Sequence, residues 1–100
     1  MGILIAGQEM GYIIIFIISE EVIMITKTIL LDDVKKITNF VNETFKFKGD
    51  IVVKHGKYIV NGRSLLGLMS LDLSQPVTCE IDERDGQIWD INCKKFEVEE

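Results

Sequence analysis

The pattern of apolar and polar positions after residue 23 begins with a strand and a helix. Residues 24–30 alternate roughly and are rich in β-branched side chains, which predicts a first β-strand. In residues 34–45 apolar side chains recur every three or four positions, which predicts an amphipathic helix capped by Asp32 or Asp33. The positions expected to face the core are Val34, Ile37, Phe40 or Val41, and Thr44 or Phe45.

Three further strands follow from the same alternation. Two of them are predicted at residues 50–54 and 57–60, on either side of a His55-Gly56 turn. The fourth strand is predicted at residues 77–81, where apolar and polar side chains alternate.

The end of the chain predicts a turn and then a closing helix. Residues 82–86 combine aspartates with a glycine, which is typical of a turn. Beyond it, the spacing i, i+4 and i+7 favours a helix that buries Trp89, Cys93 and Phe96. The alternative is that Ile88-Trp89 is extended.

The stretch that begins at Asn61-Gly62 combines a tight turn with a short helix. The Asn-Gly pair predicts positive φ angles, and Ser64 predicts an N-cap whose hydroxyl accepts an N–H of Leu66 or Gly67. The helix is apolar on nearly every side, so one core-facing stripe cannot cover it, and Ser70 within it is interpreted as a packing residue. We expect some of its apolar side chains to be exposed and to bind a partner, namely Leu65, Leu66 and Met69.

Composition and charge argue against several classes of function for this protein. The chain has 100 residues, 47% of them hydrophobic, and a net charge of −5. Its length fits one globular domain, and the lack of a basic cluster argues against nucleic-acid binding. The sequence has no metal-ligand spacing, no paired nucleophile and base, and no glycine-rich phosphate loop. We therefore expect neither an enzyme nor a bound cofactor or metal.

Three side chains that could carry chemistry have simpler structural interpretations. Cys79 and Cys93 are far apart in sequence and have no histidine partners nearby, so we interpret them as reduced, buried thiols of a cytoplasmic protein. His55 is the single histidine of the chain. It has no acidic neighbour in sequence that could orient it as a general base, and we interpret it as a solvated turn residue.

The first 23 residues differ in composition from the rest of the chain. They contain no lysine or arginine, and their apolar run at residues 12–18 is too short to span a membrane. Glu20-Glu21-Val22 can be encoded by a sequence that contains AGGAGG, a ribosome-binding sequence, shortly before Met24. We therefore interpret residues 1–23 as a non-native leader and residues 24–100 as the domain. The alternative is a genuine extra strand at residues 12–18.

Two runs of residues resemble a known family. The segment Gly56-Lys57-Tyr58-Ile59-Val60, followed by Arg63-Ser64-Leu65-Leu66-Gly67-Leu68-Met69-Ser70-Leu71, is similar to the serine-site region of the HPr family, the phosphocarriers of the bacterial sugar phosphotransferase system. The resemblance weakens away from this region but extends over residues 24–96. It implies an α+β fold, the HPr-like open-faced β-sandwich of order β-α-β-β-α-β-α, in which helices cover one side of a four-stranded antiparallel sheet.

The resemblance fails at the position of the family's phosphoryl-accepting histidine. Counted back from Ser64, that position holds Asp33, the arginine position holds Lys35 and the proline position holds Lys36. An aspartate would have to form an acyl phosphate, and its negative charge opposes an incoming phosphate, so phosphorelay is not expected. The family's second site, a serine modified by a dedicated kinase, aligns with Ser64, and Arg63 lies beside it as an ion partner.

Three functions remain open after this comparison of residues. The first is a regulatory docking module, similar to the histidine-less catabolite-repression homologues of HPr, whose partners would be phosphotransferase-system proteins, the serine kinase/phosphorylase of HPr, or a transcription regulator. The second is an active carrier that uses Asp33 or His55. The third is an interaction domain without phosphorylation, in which Ser64 is only an N-cap. No membrane partner is expected, and an exposed apolar surface also permits a homodimer.

Overall fold

The computed structural model describes residues 22–98, which form a four-stranded sheet and three helices. In chain order the elements are strand β1 (Met24–Ile29), helix α1 (Val34–Thr44), strands β2 (Ile51–His55) and β3 (Tyr58–Asn61), helix α2 (Leu65–Met69), strand β4 (Val77–Asp82) and helix α3 (Gly86–Asn92). Two 3₁₀ turns flank α3, at Glu83–Asp85 and Lys94–Phe96. This is the β-α-β-β-α-β-α order that the sequence predicts.

The strands lie in the order β1-β4-β2-β3, and each neighbouring pair is antiparallel. β4 is central: Cys79 lies opposite Lys27 of β1 and Val53 of β2. Because successive side chains point to opposite faces, the buried Cys79 and Val53 define the face covered by the helices. Lys54 and Glu80 lie on the other face, where their side chains pair at 3.0 Å. The fold is therefore the α+β open-faced arrangement expected from the sequence.

The core lies between the sheet and the helices. Trp89 of α3 is fully buried, and its ring is edge-on to the rings of Phe40 and Phe47, each with a centroid distance of 6.2 Å. Phe40 also packs edge-on against Phe96 at 5.4 Å. The other buried apolar side chains come from α1, α2, every strand except β3, and the connecting loops: Ile29, Leu31, Ile37, Val41, Ile51, Val53, Leu68, Leu73, Val77, Cys79, Ile81 and Cys93.

The segment after α3 pairs with the outer edge of β1. The N–H of Leu30 donates to the carbonyl of Phe96, and the N–H of Val98 donates to the carbonyl of Thr28, both at 3.0 Å. The indole N–H of Trp89 donates to a carboxylate oxygen of Glu97 at 2.6 Å. These bonds cover the end of an edge strand that would otherwise present unpaired backbone groups.

The helix boundaries correct several predictions. Ile88-Trp89 is helical and not extended, but α3 ends at Asn92, and Phe96 is buried from a 3₁₀ turn. In α1 the buried residue of the alternative pair is Thr44, while Phe45 caps the helix and is 65% exposed. Val34 was predicted to face the core and is 63% exposed, because it is the first residue of α1 and lies beyond the end of the core.

The two predicted turns differ from expectation in their backbone. Among the described residues only Gly56 has a positive φ, 61°, and the Gly56-Lys57 turn leaves His55 as the half-buried last residue of β2. The prediction of positive φ at Asn61-Gly62 is wrong. Gly62 is needed for space instead, since a Cβ atom there would lie 2.6 Å from Cγ2 of Ile51.

Most of the N-terminal segment lies outside the described residues. The interpretations of residues 1–21, as a leader or as an extra strand at residues 12–18, are therefore not addressed. Residue 23 is described, and its carbonyl accepts the N–H of Glu83 at 2.8 Å. Within residues 22–98 no helix is long and apolar enough to cross a membrane.

Candidate functional site

Ser64 connects β3 to α2 and caps the helix as predicted. Its backbone is extended, with φ −103° and ψ 110°, and its hydroxyl accepts the N–H of Gly67 at 2.9 Å. The N–H of Ser64 in turn donates to the carbonyl of Asn61 at 3.0 Å. Gly67 leaves room for the hydroxyl, because a Cβ atom at this position would lie 3.1 Å from it. Hydrogen bonds to Asn61 and Gly67 thus hold the serine in one defined position.

Ser70, at the other end of α2, is not the packing residue that was predicted. It is exposed and forms the C-cap of the helix, where its hydroxyl donates to the carbonyl of Gly67 at 2.6 Å. The helix is only five residues long, so its last carbonyls need such local partners.

Arg63 lies next to Ser64, and its side chain extends to the end of α1. Its Nε donates to the carbonyl of Thr44 at 3.2 Å, and its Nη2 donates to the carbonyl of Phe47 at 2.7 Å. A cation at the C-terminal end of a helix satisfies unpaired carbonyls and interacts favourably with the helix dipole. Arg63 therefore joins the start of α2 to the end of α1, a contact that nothing in the local sequence indicated.

Three apolar side chains of α2 are exposed, as the sequence predicted. Leu66 is 82% exposed, and Met69 and Leu65 are 47% and 40% exposed, whereas Leu68 is fully buried. We refer to Leu65, Leu66 and Met69 as the Leu/Met surface. Exposed apolar groups grouped on one short element are typical of a site for another molecule.

Phe45 is an exposed aromatic side chain that sequence reasoning missed. It follows Thr44, whose carbonyl is bonded to Arg63, so the exposed ring lies at the end of α1 that adjoins α2. The periodicity of α1 left open whether Thr44 or Phe45 is buried, and phenylalanine is the more apolar of the two. The fold nevertheless buries Thr44 and exposes Phe45.

Asp33, which the resemblance aligns with the family's histidine, is the N-cap of α1. Its carboxylate accepts the N–H of Lys36 at 2.8 Å. The Lys36 ammonium donates to Asp32 at 2.9 Å, and this hydrogen bond lowers the pKa of Asp32 and raises that of Lys36. Lys35 is exposed. The start of α1 therefore holds two carboxylates, whose negative charges oppose the approach of an anion.

The structure does not bring Asp33 and Ser64 together. Asp33 precedes the first residue of α1, whereas Ser64 lies beside its last residue through the Arg63 contacts. An 11-residue helix is about 16 Å long, so the two positions are separated by roughly that distance. They form two separate sites.

His55 lies at the same end of the sheet as Asp33. β1 and β2 are both antiparallel to β4 and therefore run parallel to each other, so both end at this side. In space His55 has an acidic neighbour, Asp72. Hydrogen bonds from Ser74 lower the pKa of Asp72, and His55 adds a smaller electrostatic effect in the same direction.

Two aspartates of the predicted 82–86 turn prove to be buried. Asp85 is fully buried, and its carboxylate accepts the N–H groups of Lys48 at 3.0 Å and Gly49 at 2.8 Å. Asp82 caps the 3₁₀ turn and pairs with Arg84, whose hydrogen bonds lower the pKa of its carboxyl group. Both aspartates hold loops in place, and neither makes a described contact with the Leu/Met surface.

The remaining candidate groups are unsuited to chemistry. Cys79 and Cys93 are free and buried, as predicted; burial raises the pKa of both thiols, that of Cys93 to about 12. Within residues 22–98 no cluster of three His, Cys, Asp or Glu side chains could hold a metal ion. The candidate site consists of Ser64, Arg63 and the Leu/Met surface.

The fold is that of an HPr-like α+β domain. Among solved structures the chain is similar to the crystal structure of HPr-C-His from Thermoanaerobacter tengcongensis, with 26% sequence identity and a TM-score of 0.53, over 80% of this chain and 99% of that one. No protein-family model matches the chain, and no curated protein sequence matches it. The structural similarity confirms the HPr-like fold that the sequence implied.

Proposed function

We propose that this protein is a regulatory docking module of the bacterial phosphotransferase system that is phosphorylated on Ser64 and lacks the phosphoryl-accepting histidine. The observation that carries the proposal is the position of Ser64 at the start of the same five-residue helix that presents the Leu/Met surface. A modification at the cap changes charge directly beside the apolar contact. Such a change is a direct way to make binding depend on a kinase.

The chemistry at Ser64 is supplied by a partner enzyme, in keeping with a protein that is not itself an enzyme. A serine kinase would transfer the γ-phosphoryl group of ATP to the Ser64 hydroxyl, so that the new O–P bond forms as the bond to ADP breaks and the hydroxyl proton passes to a base of the kinase. The product carries about −2 charges beside the first turn of α2.

A carrier role is not proposed, because the residues at the histidine position oppose it. The Asp33 carboxylate is bonded to the backbone of α1, and Asp32 adds a second negative charge. Lys35 supplies a positive charge at the family's arginine position, but as a point charge without the planar fork of a guanidinium. An acyl phosphate at Asp33 would have to form against both carboxylates and without its capping bond.

The docking partners are the serine kinase of HPr, other proteins of the phosphotransferase system, or a transcription regulator that responds to it in carbon catabolite regulation. The interface would bury Leu66 at its centre, since this side chain is 82% exposed in the free protein. Burial of one leucine is worth about 1.5–3 kcal/mol, which is a factor of 10 or more in affinity.

Intact mass spectrometry tests the modification. The protein is incubated once with ATP and the serine kinase of the HPr family, and once with phosphoenolpyruvate and the first enzyme of the phosphotransferase system, and Ser64→Ala and Asp33→Ala are treated in parallel. We expect one phosphoryl group to be gained with ATP only, and to be absent in Ser64→Ala. A gain with phosphoenolpyruvate that Asp33→Ala abolishes would instead make the protein a carrier, and no gain in either would leave an unmodified interaction domain.

A pair of matched surface variants tests the docking. Leu66→Asp should reduce binding to HPr kinase at least about tenfold, as measured by isothermal titration calorimetry. Ile91→Asp is the control, because Ile91 is also highly exposed, at 74%, but lies on α3. Both variants should keep the circular dichroism spectrum of the parent. Equal binding by the two variants would contradict the assignment of the Leu/Met surface.

A further inference from the structure

Arg63 connects two parts of the molecule that are separate in sequence. Its guanidinium is bonded to the carbonyls of Thr44 and Phe47, at 3.2 and 2.7 Å, while its backbone immediately precedes Ser64. The same residue therefore touches the end of α1 and adjoins the modification site proposed above. No other described side chain makes both contacts.

The carbonyls that Arg63 holds belong to the last residue of α1, Thr44, and to Phe47 in the turn that follows the helix. The carbonyl of Thr44 also accepts the N–H of Phe47 at 3.1 Å, and the N–H of Lys46 donates to the carbonyl of Glu43 at 3.1 Å. These are the weak last bonds of a helix, and a guanidinium stabilises them by satisfying the free lone pairs. Removal of the guanidinium would let this turn open more often.

We propose that Arg63 transmits the phosphorylation state of Ser64 to the end of α1, an inference that rests on the proposed function. A phosphoserine dianion attracts a guanidinium more strongly than a neutral carbonyl does, because both partners are then charged. Adjacent Cα atoms are about 3.8 Å apart, so the guanidinium can reach the phosphate by side-chain rotation alone. The phosphate then draws Arg63 away from Thr44 and Phe47.

The released turn contains Phe45, which gives the switch a role in binding. Its ring is 65% exposed at the end of α1 that adjoins α2. In the unmodified protein the Arg63 contacts hold the turn on both sides of this residue. Phosphorylation of Ser64 thus changes how an aromatic side chain is presented beside the Leu/Met surface, in addition to adding charge.

The test uses the full chain with phosphoserine introduced at position 64 during synthesis, so that no kinase is needed. The control carries phosphoserine at position 74, an exposed loop serine. We expect the amide hydrogens of residues 45–47 to exchange about five-fold faster with phosphoserine at position 64, and at the parent rate in the control. The NMR resonance of the Arg63 Nε–H group should shift only in the first protein.

The variant Arg63→Lys separates this route from a general effect of charge. Lysine keeps the positive charge but cannot hold two carbonyls with one planar fork, so phosphoserine at position 64 should no longer accelerate exchange. Equal acceleration in the variant, or an unmoved Arg63 Nε–H resonance in the phosphorylated parent, would overturn the proposal. The Arg63 Nε–H resonance of the phosphorylated parent tests the proposal even if the Arg63→Lys variant does not fold. Failure of a kinase to modify Ser64 would refute the proposed function only.

Discussion

Asp85 should be one of the largest single contributors to stability outside the apolar core. Its side chain is fully buried, and its two carboxylate oxygens accept the backbone N–H groups of Lys48 and Gly49 at 3.0 and 2.8 Å. These bonds fasten the loop before β2 to the turn that leads into α3. Replacement by alanine removes both bonds at once and leaves two amide groups without their acceptor.

The size of the effect follows from these two bonds. A hydrogen bond to a charged group contributes about 1.5–3 kcal/mol, and the lower figure applies here because Lys48 is exposed and water can replace part of the loss. Asp85→Ala should therefore reduce the free energy of unfolding by about 3 kcal/mol. For a domain of this size that corresponds to a melting temperature roughly 15 °C lower.

Urea unfolding followed by tryptophan fluorescence measures this change directly. Trp89 is the single tryptophan, it is fully buried, and it lies in the helix that starts immediately after Asp85. Asp90→Ala is the matched control, because Asp90 is exposed on the same helix. The reasoning fails if Asp85→Ala changes the free energy of unfolding by less than about 0.5 kcal/mol, or if the control costs as much.

Three further predictions concern space, thiol reactivity and pH. Gly62→Ala should lower the melting temperature by about 10 °C in a thermal scan, because the new Cβ atom would overlap Ile51, and an unchanged value would contradict the steric argument. Cys93 should react with a thiol reagent at pH 8 only at the rate of unfolding, since its pKa is raised to about 12, and rapid labelling of the folded protein would disprove this. Arg84 lowers the pKa of Asp82, so the Asp82 carboxylate stabilises the fold above its unfolded-state pKa of about 3.9. This stabilisation is lost as the pH falls through the lower pKa of the folded state. Arg84→Ala should therefore raise the midpoint pH of acid unfolding, as followed by circular dichroism, and an unchanged midpoint would contradict a stabilising role of the pair.

Local signals in the sequence predicted the elements and two of their caps. Asp33 and Ser64 both accept the N–H three residues ahead, which is a property of the cap and the first helical turn alone. The strands followed from alternation because one face of the sheet is buried and the other is exposed. The exposure of the Leu/Met surface followed from composition, since a helix that is apolar on nearly every side cannot bury all of it.

Contacts between distant segments could not be predicted in this way. Arg63 looked like a partner for Ser64, and only the packing of α2 beside α1 directs it to Thr44. Asp85 looked like an ordinary turn residue, because the N–H groups that donate to it lie 36 and 37 residues earlier in the chain. Gly62 was assigned to backbone conformation when the reason for glycine is the side chain of Ile51. Each of these depends on which loops the sheet brings together.

The pairing of the last described segment with β1 places Val98 close to the start of that strand. Val98 is bonded to Thr28, four residues beyond Met24, so about 13 Å of strand separates Val98 from Met24. A short linker could therefore join them, and the Gly56-Lys57 turn could supply new termini. The resulting circular permutant would keep every strand pairing of the sheet. The same arrangement of strands could therefore form from a chain in which the strands follow one another in a different order.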